Sequence, residues 1–167
     1  MSNRKDVTRA VAVLLFLVLL LAPASAFSTQ VEPITKVQFR SGPCLLPCQT
    51  YSVSFDRSGC ANYSGYSNVP LIGKFVSIVD FERLASILVM LKVDSLGAHY
   101  PMTPGSYDGP NYELRISRGS KDLIVKVLDT DSVPNNLYAI SSVIEGFTFS
   151  AKWQRASNVG SSAPCKS

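Results

Sequence analysis

Apolar and polar positions alternate along this chain with two different periods. Gln49 to Asp56 (QTYSVSFD) sets Tyr51, Val53 and Phe55 on one face and Ser52 and Ser54 on the other, which predicts a half-buried strand. Asp56-Arg57-Ser58-Gly59 predicts a hairpin turn, with Gly59 free to take positive φ, and Cys60 to Tyr66 returns as the partner strand. Gly65 inside that strand marks a bulge or a place where another element packs close. Lys36 to Arg40 (KVQFR) alternates in the same way and predicts a first strand with Val37 and Phe39 inward. A second hairpin follows later, with Asn111 to Ser117 (NYELRIS), a turn at Arg118-Gly119-Ser120-Lys121, and Leu123 to Asp129 (LIVKVLD).

Between and after the hairpins the period lengthens to that of a helix. Phe81, Leu84, Ala85, Leu88 and Leu91 predict a helix over Ile78 to Val93, capped by Ser77, with Asp80 at the third helical position and Val76 packing on Phe81. Its other face carries Ile87, Val89 and Met90, which reads as covered core ahead of an interface. Pro134 opens a second helix with a core stripe of Leu137, Ile140 and Ile144, and Phe147 to Trp153 fits either a short strand or a last helical turn. Ser67 to Gly73 reads as a bend, Lys74 to Val76 as a lead into the first helix, and Leu96 to Pro110 as a long Pro/Gly loop. The order hairpin, helix, hairpin, helix predicts an α+β fold, an antiparallel sheet in ββαββα arrangement.

The N-terminus changes the address. Arg4, Lys5 and Arg9 precede an unbroken apolar run from Ala10 to Ala22, and Ala24-Ser25-Ala26 supplies a small-x-small site, so residues 1–26 read as a secretory signal peptide cleaved near Ala26. Thirteen apolar residues fall short of the roughly 20 that span a bilayer, so no membrane span is expected after cleavage. Residues 27–35 read as a disordered lead-in, 36–155 as one domain and 156–167 as a flexible tail. Removing 26 of 167 residues leaves 141, with thirteen basic and eleven acidic side chains. A balance near +2 with no clustered basic patch excludes nucleic acid as partner.

Export favours oxidised cysteines. Cys44, Cys48, Cys60 and Cys165 allow three pairings. Cys44 with Cys48 closes a short loop over Leu45-Leu46-Pro47, and Cys60 with Cys165 would then tie the tail to the sheet. A redox site would normally use C-x-x-C, and a zinc site would need a second close pair or more than the single histidine, His99, so no metal and no cofactor is expected.

The segment from Cys44 onward resembles a bacterial family catalogued as domain of unknown function 6438. Cys44, Cys48, Tyr51, Val53, Gly59, Tyr63 and Gly65 stand at that family's pattern positions, followed in order by a helix, Asp108, a second hairpin, a helix and Trp153. Gln49 departs from it, standing where the pattern has proline. The resemblance spans about Lys36 to Arg155, implies exported bacterial proteins, and brings no activity with it.

No G-x-S-x-G elbow and no phosphate-binding glycine loop accompanies these elements. Two readings follow. One is a non-enzymatic, disulfide-stabilised module that binds a protein or envelope component through Tyr63, Tyr66, His99, Tyr100, Tyr107 and Asp108. The other is a hydrolase working through His99 and nearby carboxylates such as Asp94 and Asp108.

Overall fold

The computed structural model describes residues 32–42, 48–102, 104, 111–128, 133–158 and 165. Strands β1 (Ile34–Ser41), β2 (Thr50–Asp56), β3 (Cys60–Ser67) and β4 (Gly73–Ile78) form a consecutive antiparallel meander. Helix α1 (Phe81–Met90) and a 3-10 turn at Val93–Ser95 lead to β5 (His99–Tyr100). The hairpin β6 (Asn111–Arg118) and β7 (Lys121–Leu128) then joins the meander on its β1 side. Helix α2 (Asn135–Ser150) returns the chain to β8 (Gln154–Arg155) at the opposite edge.

Among the described residues these strands make one eight-stranded sheet in the order β5-β7-β6-β1-β2-β3-β4-β8, mixed only through the parallel β5–β7 pair. The fold is therefore α+β, but the ββαββα arrangement does not describe it. Both predicted hairpins exist, and each is absorbed into a wider sheet centred on β1. The reason lies in β4, whose Phe75, Val76 and Ser77 are all buried. Phe75 joins the main core, whereas Val76 is covered from the other side by Cys60, Cys165 and Ala156. A strand covered on both faces has no alternation to read. Strands β5 and β8 have two residues each, too few for any period.

Alternation elsewhere puts Val37, Phe39, Val53, Phe55, Leu114, Ile116, Val125 and Val127 on one face, where they form a single buried cluster with Leu84 and Leu88 of α1 and Leu137, Ile140 and Ile144 of α2. The turns follow their residues. Ser58 N donates to Asp56 Oδ1 (2.9 Å) and Gly59 sits at φ 84°. Helix α1 starts later than its pattern suggests. Asp80 caps it by accepting from Arg83 N at 3.0 Å, while Ser77 belongs to β4 and donates to the Lys152 carbonyl at 3.0 Å. Lys92, left-handed at φ 56°, ends the helical turn before Val93. Val89 and Met90, expected as covered core, are 52% and 71% exposed.

The ends of the domain are also fixed. Ile34 is buried, Thr35 Oγ1 donates to the Ser117 carbonyl, and Arg118 donates to the Glu32 carbonyl, so the sheet begins ahead of Lys36. Cys60 and Cys165 form a disulfide that buries Cys165 against β4, and β8 carries the chain beyond α2 onto the sheet edge. Cys48 is disulfide-bonded, while Cys44, its expected partner, and the cleavage region lie outside the described residues.

The Cys60–Cys165 bridge closes a 105-residue separation, so most of its effect falls on the unfolded chain. Cys165→Ser should lower unfolding stability by about 2–5 kcal/mol in urea titration of the oxidised protein. An unchanged midpoint would show that the tail is not a staple.

Candidate functional site

A diagonal of aromatic rings crosses the covered face of the sheet, one ring to a strand. Tyr112 on β6 meets Phe39 on β1 at 5.2 Å between centroids, and Phe39 meets Tyr51 on β2 at 6.0 Å. Tyr51 stacks on Tyr63 of β3 at 5.7 Å, and Tyr63 meets Phe75 of β4 at 6.2 Å. Tyr63 and Phe75 are direct register partners, whereas the other three contacts run diagonally between neighbouring strands, within the reach of large rings. Arg155 of β8 closes the row with its guanidinium 5.7 Å from the Phe75 centroid.

The C-terminal end of α2 completes the arrangement from above. Phe149 meets Tyr51 edge-on at 5.5 Å, and Trp153 lies over Tyr63 at 5.3 Å. The indole is held in place because Nε1 donates to the Thr148 carbonyl at 2.7 Å, satisfying a helix-end acceptor that the helix itself leaves open. From the other side comes the β3–β4 connection. A Cβ on Gly65 would collide with the Leu71 carbonyl oxygen and press on Val69, so glycine alone lets this connection fold back onto β3. The β2–β3 register also shifts between Thr50 and Tyr51, opposite Gly65. Together these features leave a groove of about 420 Å³. Pro70 and Leu71 form one wall, Phe149, Ala151 and Trp153 the other, and Tyr63 and Gln49 line it between them. Asn68 Nδ2 donates to the Cys48 carbonyl at 3.1 Å, linking the β3–β4 connection to the start of β2.

The tyrosine hydroxyls of the row are buried polar atoms. Those of Tyr51, Tyr63 and Tyr112 have no hydrogen-bond partner among the described residues. Burial, then the charge of Glu145 and the neighbouring Tyr63, push the Tyr51 phenol far above its ordinary range. Burial likewise pushes Tyr112 up to about 12; Ser141 pulls the other way without completing a hydrogen bond of normal geometry. Tyr63 is raised by burial, and partial desolvation raises the carboxyl of Glu145 on α2. All three phenols are neutral at physiological pH, so none is poised as a base.

The residues proposed from sequence as one binding surface are not gathered in one place. Tyr63 is buried, 2% exposed, because it faces the core with Tyr51 and Phe75. Tyr66 is exposed on the opposite face of β3, its hydroxyl 3.3 Å from Ser52 Oγ. His99 and Tyr100 lie on β5, separated from β3 by β7, β6, β1 and β2. His99 is exposed and Tyr100 accepts from Gly97 N at 2.9 Å. Tyr107 and Asp108 lie outside the described residues. The carboxylate nearest His99 in sequence, Asp94, is held by Arg118 through bonds of 2.8 and 3.1 Å. Among the described residues no group of three His, Cys, Asp or Glu is placed to hold a metal ion.

Sequence reasoning missed Pro70, Leu71, Phe149 and Ala151 as lining, and treated Trp153 only as the end of the domain. The one available signal was Gly65, whose close neighbour proves to be the groove wall.

The model of a protein family described as a domain of unknown function (DUF6438) matches residues 35–148. No curated protein matches the chain. The matched span takes in Cys48, Tyr51, Tyr63 and Gly65 and stops short of Trp153 and Cys165.

The buried phenols set an alkaline limit on stability. Unfolded tyrosine loses its proton near 10, whereas the folded phenols keep theirs to higher pH, Tyr112 to about 12. Above pH 10 the native state thus binds more protons than the unfolded one, and stability falls as pH rises through the folded values. Tyr51→Phe should weaken this fall while leaving neutral stability unchanged or slightly raised, because the hydroxyl removed has no partner among the described residues. Urea midpoints at a series of pH values check this; equal alkaline slopes in both proteins would contradict it.

Proposed function

This chain belongs to the family of the domain of unknown function DUF6438, and from that premise we propose that it is an exported, non-enzymatic binding module whose aromatic groove receives an apolar side chain presented by a partner protein. The groove carries the reading. Its walls are Pro70, Leu71, Phe149 and Trp153, and its volume of about 420 Å³ exceeds what one large side chain needs. Rigid aromatic walls of this kind gain contact area at low conformational cost on binding. Phe149 stays 46% exposed although it packs on Tyr51, so part of a hydrophobic surface is already built and uncovered.

Export rests on the basic head, the apolar run to Ala22 and the small-residue site at Ala24 to Ala26. The oxidised state of Cys48, Cys60 and Cys165 suits a secreted or periplasmic location. No helix among the described residues is long and apolar enough to cross a membrane. A partner met outside the cytoplasm, a protein or a component of the envelope, fits this address. The hydrolase alternative draws no support from His99, which stands exposed on β5 away from the groove.

Trp153 is the only tryptophan in the chain, so its emission reports the groove directly. Titrating the mature protein with a short peptide centred on phenylalanine should give a saturable change in Trp153 emission, and the serine-centred peptide should give none. Leu71→Ser should weaken the response roughly tenfold, the scale expected for losing one buried apolar contact. A linear, unsaturable response to both peptides would sink the reading.

A further inference from the structure

The opposite face of the sheet carries a second concavity of different chemistry. Here the register aligns Lys126, Glu113, Arg40, Ser52, Ser64 and Lys74 in one row across six strands. The adjacent row holds Arg115, Gln38, Ser54 and Asn62. Short side chains at Ser52, Ser54 and Ser64 form the middle of this face while longer ones flank them. The result is an open trough of about 390 Å³ along the central strands. Serine and asparagine are poor strand formers, so local propensity does not explain their concentration here.

The trough has hydrogen-bonding groups with no partner among the described residues. Ser54, Ser64, Asn62 and Gln38 make no side-chain hydrogen bond to another described residue, and Ser52 makes one, to the Tyr66 hydroxyl. Its positive charge is only partly balanced. Glu113 is shared loosely between Arg115 at 3.7 Å and Lys126 at 3.8 Å, and Asp122 also faces Arg115 at 3.7 Å. Arg40, exposed beside them, takes part in no ion pair among the described residues. Tyr66, 58% exposed, stands at the end of the trough with its hydroxyl on Ser52.

We propose that this trough is a binding site for an acidic oligosaccharide, with Arg40 on a carboxylate, the serine and amide side chains on sugar hydroxyls, and Tyr66 against a ring face. Charge complementarity with Arg40 calls for an anion. The hydroxyls and amides of the floor suit a polyol better than a string of peptide side chains. The backbone beneath it is already paired on both sides in β1, β2 and β3, so a peptide cannot add here as a strand. This site lies across the sheet from the aromatic groove and stands independently of it.

Calorimetric titration of the mature protein with a uronic acid oligomer tests the proposal, beside its methyl ester and a polyglutamate peptide of equal charge. The uronate oligomer should bind saturably, and the ester and the peptide at least roughly tenfold more weakly, the scale of one charge-assisted hydrogen bond. Arg40→Ala should cost a similar factor, and Ser64→Leu should abolish binding by filling the trough. Trp153→Ala should leave uronate binding unchanged, which separates this site from the groove. Three results would overturn the proposal: no uronate binding, equal binding of polyglutamate, or full affinity in both Arg40→Ala and Ser64→Leu. Retained alkaline and urea transitions in the Arg40→Ala protein guard against reading unfolding as lost binding.

Discussion

Five aromatic rings on five adjacent strands hold this fold together across its width. Tyr112, Phe39, Tyr51, Tyr63 and Phe75 are each buried, and each touches the next. Hairpin turns alone would fix only neighbouring strands. The row instead links β6, which arrives late in the chain, to β4, which ends the meander. Helix α2 is seated by the same rings, since Phe149 rests on Tyr51 and Trp153 on Tyr63. The groove is what remains where Gly65 admits the Leu71 carbonyl on one side of Tyr63 and Trp153 stands on the other. Core packing and candidate site are therefore one construction.

The parts legible in the sequence were those governed by local rules. Alternation in QTYSVSFD and NYELRIS set the inward faces correctly, and Asp56 to Gly59 formed the turn that its residues require. Gly65 was read as a bulge or close approach, and it is both. The misses share a physical cause, tertiary cover. Val76 is buried against Cys60, Cys165 and Ala156, so β4 loses its period. Ser77 looked like a cap, but its hydroxyl is taken by the Lys152 carbonyl far along the chain. Tyr63 looked like a surface aromatic because nothing local reveals that its face is the core face shared with Phe75 and Trp153.

The two faces of the sheet differ in chemistry because alternation sorts most residues of β1, β2 and β3, with breaks at the Ile34/Lys36 and Thr50/Tyr51 register shifts and at Cys60-Ala61, both buried. The covered face is aromatic and aliphatic, with neutral phenols whose hydroxyls lack partners among the described residues. The open face is hydroxyl, amide and guanidinium, with the carboxylate of Glu113 among them. The bridge between Cys60 and Cys165 places Cys165 on that open face beside Val76, while Ser52, Ser54 and Ser64 are half-buried. The aromatic groove and the polar trough thus lie on opposite sides of the same strands.

The account stands or falls on the contact between the ring row and the end of α2. A double-mutant cycle of Tyr63→Leu and Trp153→Leu, read by urea unfolding, isolates it. The account predicts a coupling free energy of about 0.5–1.5 kcal/mol, the range for aromatic pairs beyond their buried area. Strictly additive losses would mean that Trp153 and Tyr63 are merely adjacent, and that the row does not seat the helix.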